Sequence, residues 1–217
     1  MFENNSHPHA NARVAVAGSS LEKAKSVIIL VHGRGATAQS MFSLGELFAD
    51  EFTTLLAPQA QANTWYPYSF MAEESMNQPY LDSALTLLDD TVQRLKNQGF
   101  EESDLVLVGF SQGACLSLEF AARSGYAFKL VAGLSGGLIG EELQLERYAS
   151  DLSHQTIYLG CSDVDFHIPV ERVHETASIF EERGAKVDKR IYPNMGHHVN
   201  DDEVNAIQQI LGNLKQA

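Results

Sequence analysis

Six short runs of almost unbroken apolar residues recur along the chain, and no other feature limits its fold as tightly. They span Ser26 to Gly33, Phe52 to Pro58, Asp104 to Phe110, Lys129 to Ser135, Thr156 to Ser162 and Val187 to Pro193, with a weaker run at Arg13 to Ala17. Runs without polar alternation are what strands look like when helices cover both faces of a sheet. Helical periodicity fills the intervals. Leu81, Leu85, Leu88, Val92 and Leu95 step by four and three, between Pro79 and Gly99. Val173, Ala177 and Phe180 form a second stripe ended by Gly184, and Val204, Ile207, Leu211 and Leu214 form a third. This alternation predicts an α/β fold with a doubly wound, mostly parallel sheet. The rhythm leaves no room for a second domain, so residues 13–217 are read as one domain. Residues 1–12, with His7 and His9, are read as a mobile tail.

Ligands of such sheets bind beyond the carboxyl ends of the strands. Those ends carry the chemistry to be read: His32, Pro58, Phe110, Ser135, Ser162 and Pro193. At one of them Gly109-Phe110-Ser111-Gln112-Gly113 matches Gly-x-Ser-x-Gly, set between a strand and a helical pattern. A serine on that sharp corner exposes its Oγ, and the flanking glycines let strand and helix approach without Cβ clashes. The first N–H groups of the following helix suit a developing oxyanion. A serine hydroxyl needs a base, and the base needs a carboxylate to orient it. Downstream, "GCSDVDFHIP" supplies Asp163 and Asp165 after one strand, and "PNMGHHV" supplies His197 and His198 after the last. His197 directly follows Gly196, whose freedom lets the chain turn the next side chain inward. Asp165 is the acidic residue nearest the descent to Pro169, which suits a first helical turn. Asp163 is then expected to bond its own backbone in the turn.

The stretch His32-Gly33-Arg34-Gly35 also follows a strand and can present backbone N–H groups to the serine. The N–H groups of Arg34 and Gln112 are the expected oxyanion donors, with His32 bracing the loop. "NTWYPYSF", Asn63 to Phe70, leaves the strand that ends at Pro58 and is expected to line the substrate pocket through Trp65 and Phe70. The competing reading is an aromatic loop that packs over the sheet.

Composition removes other classes. A formal charge of −13 is the wrong sign for a nucleic-acid face, which needs clustered Lys and Arg. No run approaches the roughly 20 apolar residues of a membrane span, and the N-terminus lacks a signal-peptide pattern, so the expected setting is the cytoplasm without stable membrane insertion. Cys115 and Cys161 lie in apolar segments as small hydrophobes. No spacing of His and Cys suits zinc, and "GFSQGAC" lacks the Lys-Ser/Thr of a phosphate loop. No metal is expected.

"LVHGRGA", "WYPYSF", "GFSQGA", "DFHIP" and "PNMGHH" run in order from about Val27 to His198. In these motifs the chain resembles the phospholipase/carboxylesterase family of α/β-hydrolases, which includes the acyl-protein thioesterases. The resemblance implies a compact hydrolase without a large lid domain, acting on carboxylic esters or thioesters without a cofactor. By motif it implies Ser111 as nucleophile, Asp165 as carboxylate and His197 as base, with backbone N–H groups of Arg34 and Gln112 as the oxyanion hole. One departure is that "GCSDVD" lacks the His that often precedes the glycine and carries an extra acid. The expected partner is a small-molecule ester, with a homodimer left open. Lysophospholipase or acyl-protein thioesterase activity is the alternative within enzymes, and a non-catalytic binding protein the alternative outside them. A dienelactone-type hydrolase would favour Cys at position 111.

Overall fold

The computed structural model describes residues 7–214. Seven strands form one sheet: β1 (Val14–Gly18), β2 (Ser26–Val31), β3 (Thr53–Pro58), β4 (Leu105–Phe110), β5 (Leu130–Leu134), β6 (Thr156–Ser162) and β7 (Lys186–Tyr192). Their order is β1-β3-β2-β4-β5-β6-β7. β1 runs antiparallel to β3 and every other pair is parallel. The helices are a short α1 (Phe42–Gly45), α2 (Tyr80–Asn97), α3 (Gln112–Ser124), α4 (Val170–Glu182) and α5 (Asp201–Leu214). The expected doubly wound, mostly parallel sheet is therefore what the chain forms, with no large lid domain among the described residues.

Alternate strand residues feed two cores, because successive side chains leave a strand on opposite faces. Val27, Ile29, Leu105, Leu107, Ile157 and Leu159 pack with the apolar stripes of α2, α3 and α4. Ile28, Leu30, Val106, Val108 and Tyr158 pack with Met41, Phe48 and the Ala206-Ile207-Leu211 face of α5. The stripes read from sequence face the core: Leu81, Leu88, Val92 and Leu95 of α2 are buried with Leu85 partly so, and Val173, Ala177 and Phe180 of α4 are buried. Gly99 and Gly184 follow those two helices at φ +97 and +88, where a left-handed residue ends the helix.

The tail expectation fails at His9, while residues 1–6 lie outside the described residues. His9 is buried. Its N–H donates to Ser83 Oγ at 2.9 Å, its Nε2 to the Trp65 carbonyl at 2.9 Å, and its Nδ1 accepts from Gln61 N–H at 3.1 Å. Partners so distant in sequence leave no local signal.

One buried charge-bearing group ties α5 to the sheet. Asn200 and Glu203 cap the helix reciprocally: Glu203 N–H donates to Asn200 Oδ1 and Asn200 N–H donates to Glu203 Oε2, both at 2.9 Å. The carboxyl lies over Gly160, where a Cβ would stand 2.1 Å from Glu203 Oε1. Burial pushes this carboxyl up to about 7, against the pull of the Asn200 N–H. A raised folded-state carboxyl binds more protons than the unfolded one, so its stabilising neutral form is lost as pH climbs from the ordinary carboxylate range through about 7. The Glu203→Gln variant keeps the neutral shape. It should match the parent at about pH 3.5 and exceed it by about 3 kcal/mol at about pH 8.5. Urea unfolding at both pH values measures this, and parallel pH profiles would refute it.

Candidate active site

The corner between β4 and α3 is built by two backbone approaches. A Cβ on Gly109 would stand 2.3 Å from the Gly113 carbonyl oxygen, and one on Gly113 would stand 2.1 Å from that of Val31. With both Cβ atoms absent, α3 starts directly behind β4, and Ser111 takes φ 56, ψ −121 at its N-cap. This is a region that L-residues rarely occupy, at a cost of order 1–3 kcal/mol. The Ser111 N–H donates to the Leu134 carbonyl at 2.9 Å, which fixes the corner to β5.

Two loops from the same sheet edge meet this serine. His197 Nε2 lies 2.9 Å from Ser111 Oγ, and His197 Nδ1 lies 2.6 Å from Asp165 Oδ2. The Asp165 side chain is fully buried and that of His197 is 15% exposed. Asp165 Oδ1 accepts the N–H groups of His167 at 2.8 Å and Ile168 at 3.2 Å, so the carboxylate has both oxygens engaged. Gly196, at φ +81, turns His197 inward, and its N–H donates to Ser162 Oγ at 3.0 Å. His198 is exposed. Of the two acids, Asp165 faces the histidine. Asp163 does not bond its own turn as expected; its Oδ1 accepts Asn194 N–H at 2.8 Å and staples the β6 loop to the β7 loop.

The β2 loop brings the backbone of Gly33 and Arg34 to the same cleft as Ser111 and Gln112. The first N–H groups of α3, Gln112 among them, have no intrahelical acceptor. His32 braces this loop from below. Its Nε2 accepts Ala60 N–H at 3.1 Å, so the proton sits on Nδ1 and is donated to the Gly33 carbonyl at 2.8 Å. Burial lowers its pKa, in keeping with this neutral ring.

The cleft holds about 640 Å³. Phe70 lines it as expected, but Trp65 does not. Trp65 is 0% exposed, and its indole N–H donates to the His32 carbonyl at 2.8 Å. The indole found its partner beneath the loop, so the packing reading holds for Trp65. The residues that sequence reasoning missed are Tyr66, Tyr68, Phe110 and His167. Phe110 and His167 pack their rings 5.1 and 4.7 Å from that of His197. Their adjacency to Ser111 and Asp165 in the chain was the available signal. The Gln112 side chain was also missed. Its Oε1 accepts Trp65 N–H at 3.0 Å and its Nε2 donates to the Tyr66 carbonyl at 2.8 Å, which ties the aromatic loop to α3.

A family model described as Phospholipase/Carboxylesterase matches residues 11–214. Acyl-protein thioesterase 1 of Kluyveromyces lactis is 25% identical over 213 residues, covering 89% of this chain and 93% of its own. The crystal structure of a phospholipase/carboxylesterase from Dyadobacter fermentans aligns at a TM-score of 0.89 and 36% identity, covering 92% of this chain and 96% of that one. A Bacillus cereus carboxylesterase aligns at a TM-score of 0.78 and 17% identity, covering 94% of this chain and 95% of its own, and shares the fold.

Two predictions follow from this geometry. Asp165→Asn puts an amide where His197 needs an anion, and turnover should fall by about 10³–10⁴-fold. Asp163→Asn retains an oxygen for Asn194 N–H and should stay within about tenfold. Steady-state rates of the folded variants decide, and a crippled Asp163→Asn would move the assignment. Separately, Trp65→Phe should lower the melting temperature and leave the acyl-length profile unchanged, whereas Phe70→Ala should shift that profile. A profile that shifts with Trp65 alone would restore Trp65 as a contact residue.

Proposed function

The chain belongs to the phospholipase/carboxylesterase family of serine hydrolases, and from that premise we propose that it cleaves carboxylic esters through an acyl-enzyme on Ser111. The observation that supports this reading most is the unbroken line from Ser111 Oγ through His197 to the buried Asp165 carboxylate, at 2.9 and 2.6 Å. Ser111 Oγ bonds to the ester carbonyl carbon as its proton passes to His197 Nε2. Asp165 holds the Nδ1–H and stabilises the imidazolium. The carbonyl oxygen becomes an oxyanion between the N–H groups of Arg34 and Gln112. Collapse breaks the bond to the alcohol oxygen, which leaves with the Nε2 proton. Water then gives a proton to His197 and attacks the acyl carbon. The second collapse returns that proton to Ser111 and releases the acid.

A thioester would pass through the same steps, and the yeast relative's name draws attention to it. The cleft wall of Phe70, Tyr66 and Ile168 gives the acyl group an apolar lining, and the rates below rank the acyl lengths. No helix among the described residues is long and apolar enough to cross a membrane. Cys115 and Cys161 are free and buried, which suits a reducing compartment, and we place the protein in the cytoplasm.

Ser111→Ala retains the Cβ, and with it the strained corner, so the fold should persist while turnover falls by about 10³-fold or more. Covalent labelling by a fluorophosphonate should be present in the parent and absent in the variant. Rates on p-nitrophenyl butyrate, an acyl-CoA and a lysophosphatidylcholine rank the substrate classes. Residual activity within tenfold of the parent would exclude the serine mechanism.

A further inference from the structure

The chain carries 28 acidic residues against 15 Lys and Arg, yet no Asp or Glu lines the cleft. Its ionisable lining includes Arg34, His167 and His197. Of these Arg34 alone carries a fixed positive charge, so an acidic chain places an unopposed cation in the cleft that holds Ser111.

Arg34 is held in place there without being neutralised. Its Nη1 donates to Thr64 Oγ1 at 3.0 Å and to the Pro67 carbonyl at 2.9 Å, and its Nη2 to the Tyr68 carbonyl at 2.6 Å. The guanidinium carbon lies 5.9 Å from the centroid of the Tyr66 ring. All of these partners are uncharged. Arg123, Arg147, Arg172 and Arg190 each pair with a carboxylate; Arg34, like Arg13, Arg94 and Arg183, pairs with none among the described residues, and of these four it alone lines the cleft. A guanidinium has five N–H donors in a rigid plane. Three are engaged, which leaves one on Nε and one on Nη2. Neighbouring nitrogens of this kind form the fork that a carboxylate accepts in bidentate fashion. Three anchoring bonds also spare the side chain most of the rotamer entropy that an arginine loses on binding.

The wall on which Arg34 stands identifies the part of the substrate concerned. In that mechanism the alcohol leaves beside His197, which returns its proton, and the cleft wall there is formed by Phe110 and His167. Arg34, on the loop after β2, is anchored by its side chain to a different wall, the loop from Thr64 to Tyr68. We infer that the substrate is a half-ester of a dicarboxylic acid, whose free carboxylate on the acyl portion is received by the Nε and Nη2 donors of Arg34. The overall negative charge does not oppose this at close range, because exposed charges more than about 10 Å away are screened at ordinary ionic strength.

The inference rests on the hydrolase reading, and the test separates the two. Hydrolysis of methyl hydrogen glutarate and of methyl hexanoate, which have similar length, is followed by pH-stat. The parent should favour the half-ester by at least about tenfold in kcat/KM. Arg34→Gln should bring that ratio close to one, mainly through KM. Arg34→Lys should retain part of it, since the charge remains but the fork is lost. A parent that favours the neutral ester, or a ratio unchanged in folded Arg34→Gln, overturns the inference. Glutarate itself gives a measure that needs no variant: it should inhibit methyl hexanoate hydrolysis competitively, where 1,5-pentanediol does not, and equal inhibition by both would also overturn it. Fluorophosphonate labelling of Ser111 is scored in the same samples. Labelling without charge preference removes this inference alone; failure to label removes the hydrolase reading beneath it.

Discussion

The approach of Gly113 to the Val31 and His32 carbonyl oxygens, 2.1 and 2.5 Å from where a Cβ would stand, is the contact on which the site depends. It allows α3 to begin against the end of β2 rather than above it. Only then can the chain pass from β4 into α3 with a single residue, Ser111, at the corner. The strain at Ser111 is thereby set by the packing of two glycines against neighbouring backbone, and sheet hydrogen bonding opposes its relief. The pairing of Val31 with Gly109 and of Phe110 with Leu134 puts the ends of β2, β4 and β5 level, so the corner opens onto a shared edge.

Backbone geometry alone would leave the surrounding loops unanchored. They are held by neutral polar contacts from beneath. Gln112 binds the aromatic loop, Trp65 binds the His32 carbonyl, and His32 in turn holds the Ala60 N–H. On the other side Ser162 and Asp163 hold Gly196 and Asn194, so the loop that carries His197 is fixed at two points before the histidine. Pinning of this kind lets a loop residue reach its partner without an entropy cost at each turnover. The two sets of contacts share no residue, so the Arg34 loop and the His197 loop are positioned independently of each other.

Strand and helix positions were legible in the sequence because burial on both faces of a sheet demands continuous apolar runs, and each run became a strand. Ser111, Asp165 and His197 were legible as candidates because each lies at a strand end, where the topology collects them. Trp65 was misread by the same logic: strand-end placement locates a loop but does not say which of its rings turns under it. The indole N–H needs a buried acceptor, and the carbonyl that meets that need belongs to His32, 33 residues away in the chain. His9 and the side-chain role of Gln112 were missed for a related reason. Their contacts are polar, pairwise and remote in sequence, so neither periodicity nor composition records them.

One further consequence concerns which atom at the site can react. A free thiol is intrinsically more acidic than a serine hydroxyl, and Cys115 lies one helical turn beyond Ser111, in the same cleft. Burial pushes the Cys115 thiol up to about 12, and desolvation holds the neighbouring Tyr66 phenol well above its usual range. Both groups stay neutral. The Ser111 hydroxyl starts from the weaker acidity but has an imidazole nitrogen at 2.9 Å, the partner that the proposed mechanism uses to remove its proton. Reactivity here is assigned by neighbours rather than by intrinsic acidity. The raised Cys115 thiol, one turn away and without an imidazole beside it, stays protonated in the same cleft.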